Sequence, residues 1–253
     1  MDSMTVLITS FHQRDFTLNC IKGYLKFCPE DFNLSIVVVE NSDDVSYKED
    51  VCGMGDNITW VNNNTPHKGA DALSHGVDVG MEYVKDEYVF LSHNDICITS
   101  EHFFTSLKEK AEEGNHLVGT CSDTHPLRNH CIIILGCLVK SDIVRKVDLY
   151  QKPNPDGSPR FECGDRVHLY CKDNNLKHLC FDNTHNNPEL VNELEEPFKS
   201  LDYTVRTVDH YGNVIFLHFA RGSEKSAGRY KKKGRLDIPQ ILEFCETNIF
   251  NEN

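Results

Sequence analysis

Tyr88-Val89-Phe90-Leu91-Ser92-His93-Asn94-Asp95-Ile96 decides how this 253-residue chain is read. An apolar run from Tyr88 to Leu91 predicts a buried strand. It breaks abruptly into polar residues. Strands of a parallel sheet covered on both faces are apolar throughout, and open α/β sheets place ligands at their carboxyl ends. The same design recurs upstream. Thr5 to Ser10 is a short run rich in β-branched residues, and Leu34 to Val39 ends in Glu40-Asn41-Ser42-Asp43-Asp44. Ile58 to Val61 predicts a third, shorter strand. Phe16, Cys20, Tyr24 and Phe27 recur at helical spacing between the first two runs. Ala70, Leu73, Val77, Met81 and Val84 do so before Tyr88. Alternating strand and helix predicts an α/β fold with a doubly wound, mostly parallel sheet and helices on both faces.

Downstream, Phe103, Phe104 and Leu107 predict a helix, Leu117-Val118-Gly119 a strand and Cys131 to Val139 a long buried strand. Lys152 to Arg160 holds three prolines and a glycine, which predicts a loop. Asp165 to Asn174 reads as a helix, Lys177 to Phe181 as a strand and the polar stretch His185 to Ser200 as an exposed excursion. Val214 to Phe219 is the last clear strand. Gly222 to Arg235, rich in lysine, arginine and glycine, predicts a mobile basic segment, and Ile238 to Ile249 a closing helix. One domain over 1–253 accounts for the length.

The net charge of −13 argues against nucleic-acid and anionic-membrane binding. No apolar run approaches the roughly 20 residues that span a bilayer. The start, Met1-Asp2-Ser3-Met4, lacks the basic beginning and cleavage site of a signal peptide. These features predict a cytosolic protein, or one recruited to membranes by a partner. The eleven cysteines contain no CxxC pair and read as free thiols in a reducing compartment. Cys163, His168, Cys171, His178, Cys180 and His185 lie close together, but their spacings fit no common zinc finger.

Four segments, in order, carry a family likeness: Val6-Leu-Ile-Thr-Ser-Phe11, Ile36-Val-Val-Val-Glu-Asn-Ser-Asp43, Lys68-Gly-Ala-Asp-Ala-Leu-Ser-His-Gly76 and Val89-Phe-Leu-Ser-His-Asn-Asp-Ile96. With Ile134-Leu-Gly-Cys137, Phe161-Glu-Cys-Gly-Asp165, Val214-Ile-Phe-Leu-His218 and Arg221-Gly-Ser223, the chain resembles the inverting family 2 glycosyltransferases of the GT-A fold. The resemblance implies a nucleotide-sugar-binding half over 1–100, an acceptor and catalytic half over 101–220, and a basic flap with a terminal helix over 221–253. It implies a donor site made by Thr9, Ser10, Phe11, Glu40, Asn41, Lys68, Gly69, Asp71 and Arg221. Glu40, where the family usually has aspartate, would read ribose hydroxyls as an acid does in dinucleotide folds. Lys68 would meet phosphates. Asp71 also suits a first helical turn on electrostatic grounds alone.

His93-Asn94-Asp95 stands where the family carries DxD, so the resemblance implies Mn²⁺ or Mg²⁺ held by Asp95 with His93 and His218. Imidazole ligands favour Mn²⁺. The implied reaction is displacement at the anomeric carbon with inversion. Asp165, or Glu162 in reserve, would take the proton of a glycan or other hydroxyl acceptor. Two rival readings stand beside it. One is a nucleotide-sugar or glycan-binding protein of the same fold without turnover. The other is a nucleotidyltransferase, which would need a glycine-rich signature where Ser10-Phe11-His12-Gln13-Arg14 has no glycine.

Overall fold

A computed structural model describes residues 1–121, 132–150, 165–201, 204–219 and 236–251, with the side chains of 121 and 133–135 set aside. The first half follows the alternation read from the sequence. Strand β1 (Ser3–Ser10) leads to α1 (Arg14–Phe27), β2 (Asn33–Glu40), α2 (Lys48–Cys52), β3 (Ile58–Asn62), α3 (Ala70–Met81) and β4 (Tyr88–His93). These strands are parallel, in the spatial order β3-β2-β1-β4. The period of two along each strand divides its side chains between the two faces. Val6, Ile8, Ile36, Val38 and Phe90 face Cys20 and Tyr24 of α1. Leu7, Val37, Val39, Val89 and Leu91 face Val77 and Met81 of α3. Burial on both faces is why these strands read as unbroken apolar runs.

The second half contains β5 (Ile96–Ile98), α4 (His102–Glu112), β6 (Leu117–Cys121), β7 (Ile132–Lys140), α5 (Ser141–Val144) and α6 (Asp165–Asp173). After them come β8 (His178–Asn183), β9 (Val205–Val208), β10 (Val214–His218) and α7 (Ile238–Cys245). All ten strands form one sheet ordered β3-β2-β1-β4-β7-β6-β8-β9-β10-β5. The expectation of a mostly parallel sheet holds for the first four strands and needs correction beyond them. There β7 runs antiparallel to both β4 and β6, and β8, β9, β10 and β5 are joined by antiparallel ladders. The reason is connectivity. Only a crossover, usually a helix, returns a chain parallel to its predecessor, and too few residues separate β6 from β7 to form one.

Two further expectations change. The stretch His185 to Ser200 is not simply exposed. It forms a 3₁₀ turn at Pro188–Glu193, and Leu190, Leu194 and Leu201 pack with Leu217, Ile241 and Cys245 in a third apolar cluster. The leucines were masked in the sequence by the acidic residues around them. Among the cysteines, Cys20, Cys28, Cys52, Cys97, Cys137, Cys171 and Cys245 are free. Cys180, exposed on β8, is disulfide-bonded, which corrects the reading of free thiols throughout. Among the described residues, no helix is long and apolar enough to cross a membrane.

Candidate active site

The parallel strands β1 and β4 lie side by side, while β1 connects outward to β2 on its other flank. That change of direction opens a crevice at the carboxyl edge, the usual ligand position in open α/β sheets. The registers set Thr9 beside His93 and Ser10 beside Glu40, so the polar ends of all three strands arrive together. On the far side, β10 pairs antiparallel with β5, His218 opposite Ile96, and the Phe219 amide donates to the Asp95 carbonyl at 3.1 Å. Residues more than a hundred positions apart therefore meet at one point.

His93, Asp95 and His218 form the group of ligating side chains found among the described residues, with their ligand atoms all within 4.8 Å of one another. Asp95 Oδ1 lies 3.5 Å from His93 Nδ1 and 3.4 Å from His218 Nε2. The carboxylate is 1% exposed, while the imidazoles are 29% and 24% exposed. Burial alone would push the Asp95 pKa up, but His218 and His93 outweigh it and hold the carboxyl well below the usual range. For His218, burial opposes protonation and Asp95 overcomes it, so its pKa is raised. One buried carboxylate with two half-open imidazoles suits a borderline divalent ion such as Mn²⁺ better than Mg²⁺, which prefers oxygen ligands and its own waters.

Asn94, in the turn between β4 and β5, points away from the ligand group. Its Nδ2 donates to Ser10 Oγ at 3.1 Å and to Thr17 Oγ1 at 3.3 Å, both buried. Ser10 Oγ lies 3.0 Å from the Tyr47 hydroxyl, which donates to Glu40 Oε2. Glu40 Oε1 accepts from the His12 amide, the Ser42 amide and the Ser42 hydroxyl. Glu40 is fully buried. Its carboxylate thus organises the loops after β1 and β2 from within, a different position from the ribose contact expected of it. Phe11, by contrast, is 39% exposed at the end of β1. Asn41 is buried, accepts from Asn63 Nδ2 at 2.6 Å and lies against Gly76 of α3. A Cβ at Gly76 would stand 2.7 Å from both terminal atoms of that amide, so a side chain there would have to displace Asn41.

Helix α3 begins at Gly69, whose φ of 60° is easily adopted only without a Cβ. No side chain caps the first turn, so its amides and the helix dipole form an anion-attracting end. Lys68 is exposed beside it. Asp71 Oδ1, Thr9 Oγ1 and Asn94 Oδ1 are buried without a hydrogen-bond partner among the described residues. Each such atom costs roughly 1–3 kcal/mol. Their concentration along one edge suits a surface built to meet a polar ligand.

Asp165 is the first residue of α6 and is buried. Helix α6 precedes β8, which starts beside Leu117 at the amino edge of the parallel strands. The helix therefore begins at the opposite, carboxyl edge. His168, one turn on, accepts from the Ile132 amide at 3.4 Å. Its ring centre lies 4.7 Å from that of His178, and the pair joins no cluster of three ligating groups among the described residues. Glu162, Arg221 and the basic segment after it lie outside the described residues.

The fold has a counterpart among solved structures. A mannosyltransferase from Pyrobaculum calidifontis, PcManGT, in complex with GDP-Man and Mn²⁺, superimposes with a TM-score of 0.51 at 13% identity over 70% of this chain and 54% of that one. The fold is shared with glycosyltransferases. S. aureus TarS (residues 1–349) matches at a TM-score of 0.46 and 12% identity over 59% of this chain and 50% of its own. Its complex with UDP-GlcNAc gives 0.47 and 11%, over 59% and 48%. The chain spans about half the length of these solved chains. Neither a family model nor a curated protein sequence matches it.

Sequence reasoning missed Thr17, Tyr47, Asn63 and His75 at this edge. His75 Nδ1 lies 2.9 Å from Asn63 Nδ2. Asn94 had a usable signal, its place between the two residues of the HxD pattern. Tyr47 had none, because it lies in a loop between polar neighbours.

Proposed function

We propose that the protein is a metal-dependent inverting glycosyltransferase of the GT-A type, moving a sugar from a nucleotide-sugar donor to an acceptor hydroxyl. The convergence of His93, Asp95 and His218 at the carboxyl edge carries the reading. The fold shared with a mannosyltransferase solved with GDP-Man and Mn²⁺ supports it. Asp95, His93 and His218 would hold Mn²⁺ or Mg²⁺, which when bound supplies Lewis-acid stabilisation of a departing diphosphate. Thr9, Ser10 and Phe11 at the end of β1 and Asn41 at the end of β2 line the nucleoside side, with Glu40 holding their loops. Lys68, Gly69 and Asp71 at the start of α3 attract and bound the diphosphate, and Arg221 belongs to the basic flap. Residues 1–100 are the donor half, 101–220 the acceptor and catalytic half, and 221–253 the flap and terminal helix.

Asp165 is the general base in this reading, with Glu162 beside it in sequence. A carboxylate at the acceptor side takes the hydroxyl proton as the oxygen attacks the anomeric carbon, and the donor's bond to its diphosphate breaks in the same step. The decisive experiment incubates the protein with UDP, GDP, dTDP and CMP sugars, with Mn²⁺ or chelator, and measures free nucleotide and the anomeric configuration of the product. Mn²⁺-dependent release with inversion is expected. Donor binding without release across the panel would replace the transferase with a nucleotide-sugar-binding protein.

A further inference from the structure

The amino edge of the sheet, opposite the metal-ligating residues, carries a second concave site. Glu87 immediately precedes β4, His116 precedes β6 and Lys140 ends β7, and the strand registers bring the three together. Their backbones are tied. The Lys140 amide donates to the His116 carbonyl at 3.0 Å, and the Ser141 amide to the Glu87 carbonyl at 2.8 Å. With Tyr170 near the end of α6 and Asn174 just after it, they bound a cleft of about 510 Å³. Small-ligand sites usually measure about 300–1,000 Å³. The length of β4, Tyr88–His93 at about 3.3 Å per residue, sets this cleft about 17 Å from the metal-ligating turn.

The chemistry of the cleft is polar and balanced. Lys140 Nζ donates to Glu87 Oε1 at 2.7 Å, and Lys146 Nζ to Asp142 Oδ2 at 2.6 Å. Two cations thus offset two carboxylates, and each ammonium keeps two of its three protons for another partner. Both pairs are partly exposed, so each holds little energy of its own. Asn174 Nδ2 donates to the Tyr170 carbonyl at 2.9 Å, which leaves its Oδ1 as an acceptor. His116 Nδ1 is buried with no hydrogen-bond partner among the described residues. Ile143 and Leu176 supply the apolar part.

We propose that this cleft binds a neutral carbohydrate. An anion is a poor fit, because it would have to displace Glu87 or Asp142 from its lysine in a chain of net charge −13. An apolar ligand would leave the ion pairs, Asn174 and His116 uncompensated. A sugar hydroxyl donates and accepts at once. It takes a proton from an ammonium and gives its own to a carboxylate without breaking either ion pair. It also satisfies His116 Nδ1 in either tautomer. Half-buried Tyr170 adds an aromatic surface for the C–H groups of a pyranose ring. As a carbohydrate site the cleft stands apart from the metal edge. As an anchor for an acceptor glycan it rests on the transferase reading.

The test titrates neutral tetrasaccharides of glucose, galactose, mannose and N-acetylglucosamine into the full chain. Inorganic phosphate and a galacturonic acid tetrasaccharide are the anionic probes. The backbone amides of His116 and Asn174, followed in ¹H–¹⁵N spectra, report on the cleft. At least one neutral probe is expected to move both, with the same affinity in Asp95→Asn. Tyr170→Ala should raise its dissociation constant about 10-fold. Asn174→Ala, at an exposed position, takes its place should Tyr170→Ala fail to fold. No movement with any neutral probe overturns the proposal. Movement with the anionic probes alone does so too, and makes the cleft an anion site. Unchanged affinity in both folded variants, or binding lost in Asp95→Asn, places the sugar elsewhere and also overturns it. The donor assay remains separate. Sugar binding here without nucleotide release keeps the cleft and removes its role as an acceptor anchor. Nucleotide release without sugar binding here removes the cleft and keeps the transferase.

Discussion

Replacing Asp95 by Asn tests the centre of the site most directly. The substitution keeps the size of a side chain that is 1% exposed and removes its charge. Asp95 Oδ1 stands 3.4 and 3.5 Å from the two imidazoles. Breaking a buried ion pair normally strands a charge at a cost of about 3–5 kcal/mol. Here the histidines are partly open to solvent, at 29% and 24% exposure, so the fold should survive. The ligand set, however, falls to two neutral imidazoles. At a Mn²⁺ concentration 100 times the dissociation constant, linkage stabilises the parent by about 2.7 kcal/mol. For a chain of this length that corresponds to a rise in Tm of roughly 5–10 °C. The assay is thermal unfolding of parent and variant, each in Mn²⁺ and in chelator. A rise in the parent and none in Asp95→Asn is expected. A parent-sized rise in Asp95→Asn would falsify the assignment of Asp95 as a ligand and place the ion elsewhere.

Three other outcomes are expected. Asp165→Asn should leave donor affinity nearly unchanged and slow transfer at least about a hundredfold; near-normal turnover assigns the base elsewhere, and collapse in Glu162→Gln says where. Gly76→Ala forces the Asn41 amide from a seat only 2.7 Å from the new Cβ. Overpacking of about 1–3 kcal/mol, partly offset by about 1 kcal/mol of helix propensity, should lower the urea midpoint modestly. Donor affinity should fall with it, and unchanged affinity would remove Asn41 from the donor site. His168 is held down to about 4 by burial, helped by His178 and Lys172. The unfolded chain then binds a proton that the folded one refuses between pH 6.5 and 4, so stability is lost as pH falls through that window. The loss is on the order of 3 kcal/mol. His168→Gln should flatten the profile there, and an unchanged slope assigns the acid sensitivity to other groups.

The first four strands were legible because double burial writes each as an apolar run with a polar end. Thr5 to Ser10, Leu34 to Val39 and Tyr88 to Leu91 all became parallel neighbours. The antiparallel second half was not legible. Nothing local distinguishes a strand such as Val214–His218 that pairs with Ile96–Ile98 from one that pairs elsewhere. The three-residue β5 is too short to announce itself. Val205–Val208 lacks an apolar run because Arg206 is buried among hydrogen-bonding partners and polar Thr207 is buried beside it. For the site, pattern reached His93, Asp95 and His218 separately. Only the β10–β5 register explains why they converge.

The resulting electrostatics resolve a difficulty posed by the composition. A chain with a net charge of −13 is an unfavourable host for an anionic donor, and Glu40, Asp71 and Asp95 all lie at this edge. Yet the Glu40 carboxylate already accepts from two amides and two hydroxyls, which spread its charge into the loops. Asp95 is flanked by two imidazoles, and a divalent ion held among the three would add positive charge there. Lys68 and the uncapped start of α3 add positive potential on the facing side. The crevice is therefore acidic by residue count and cation-ready by geometry. It should repel a bare nucleoside diphosphate and accept the same anion once the metal is bound. On the transferase reading proposed above, metal binding is then the expected first step of an ordered sequence.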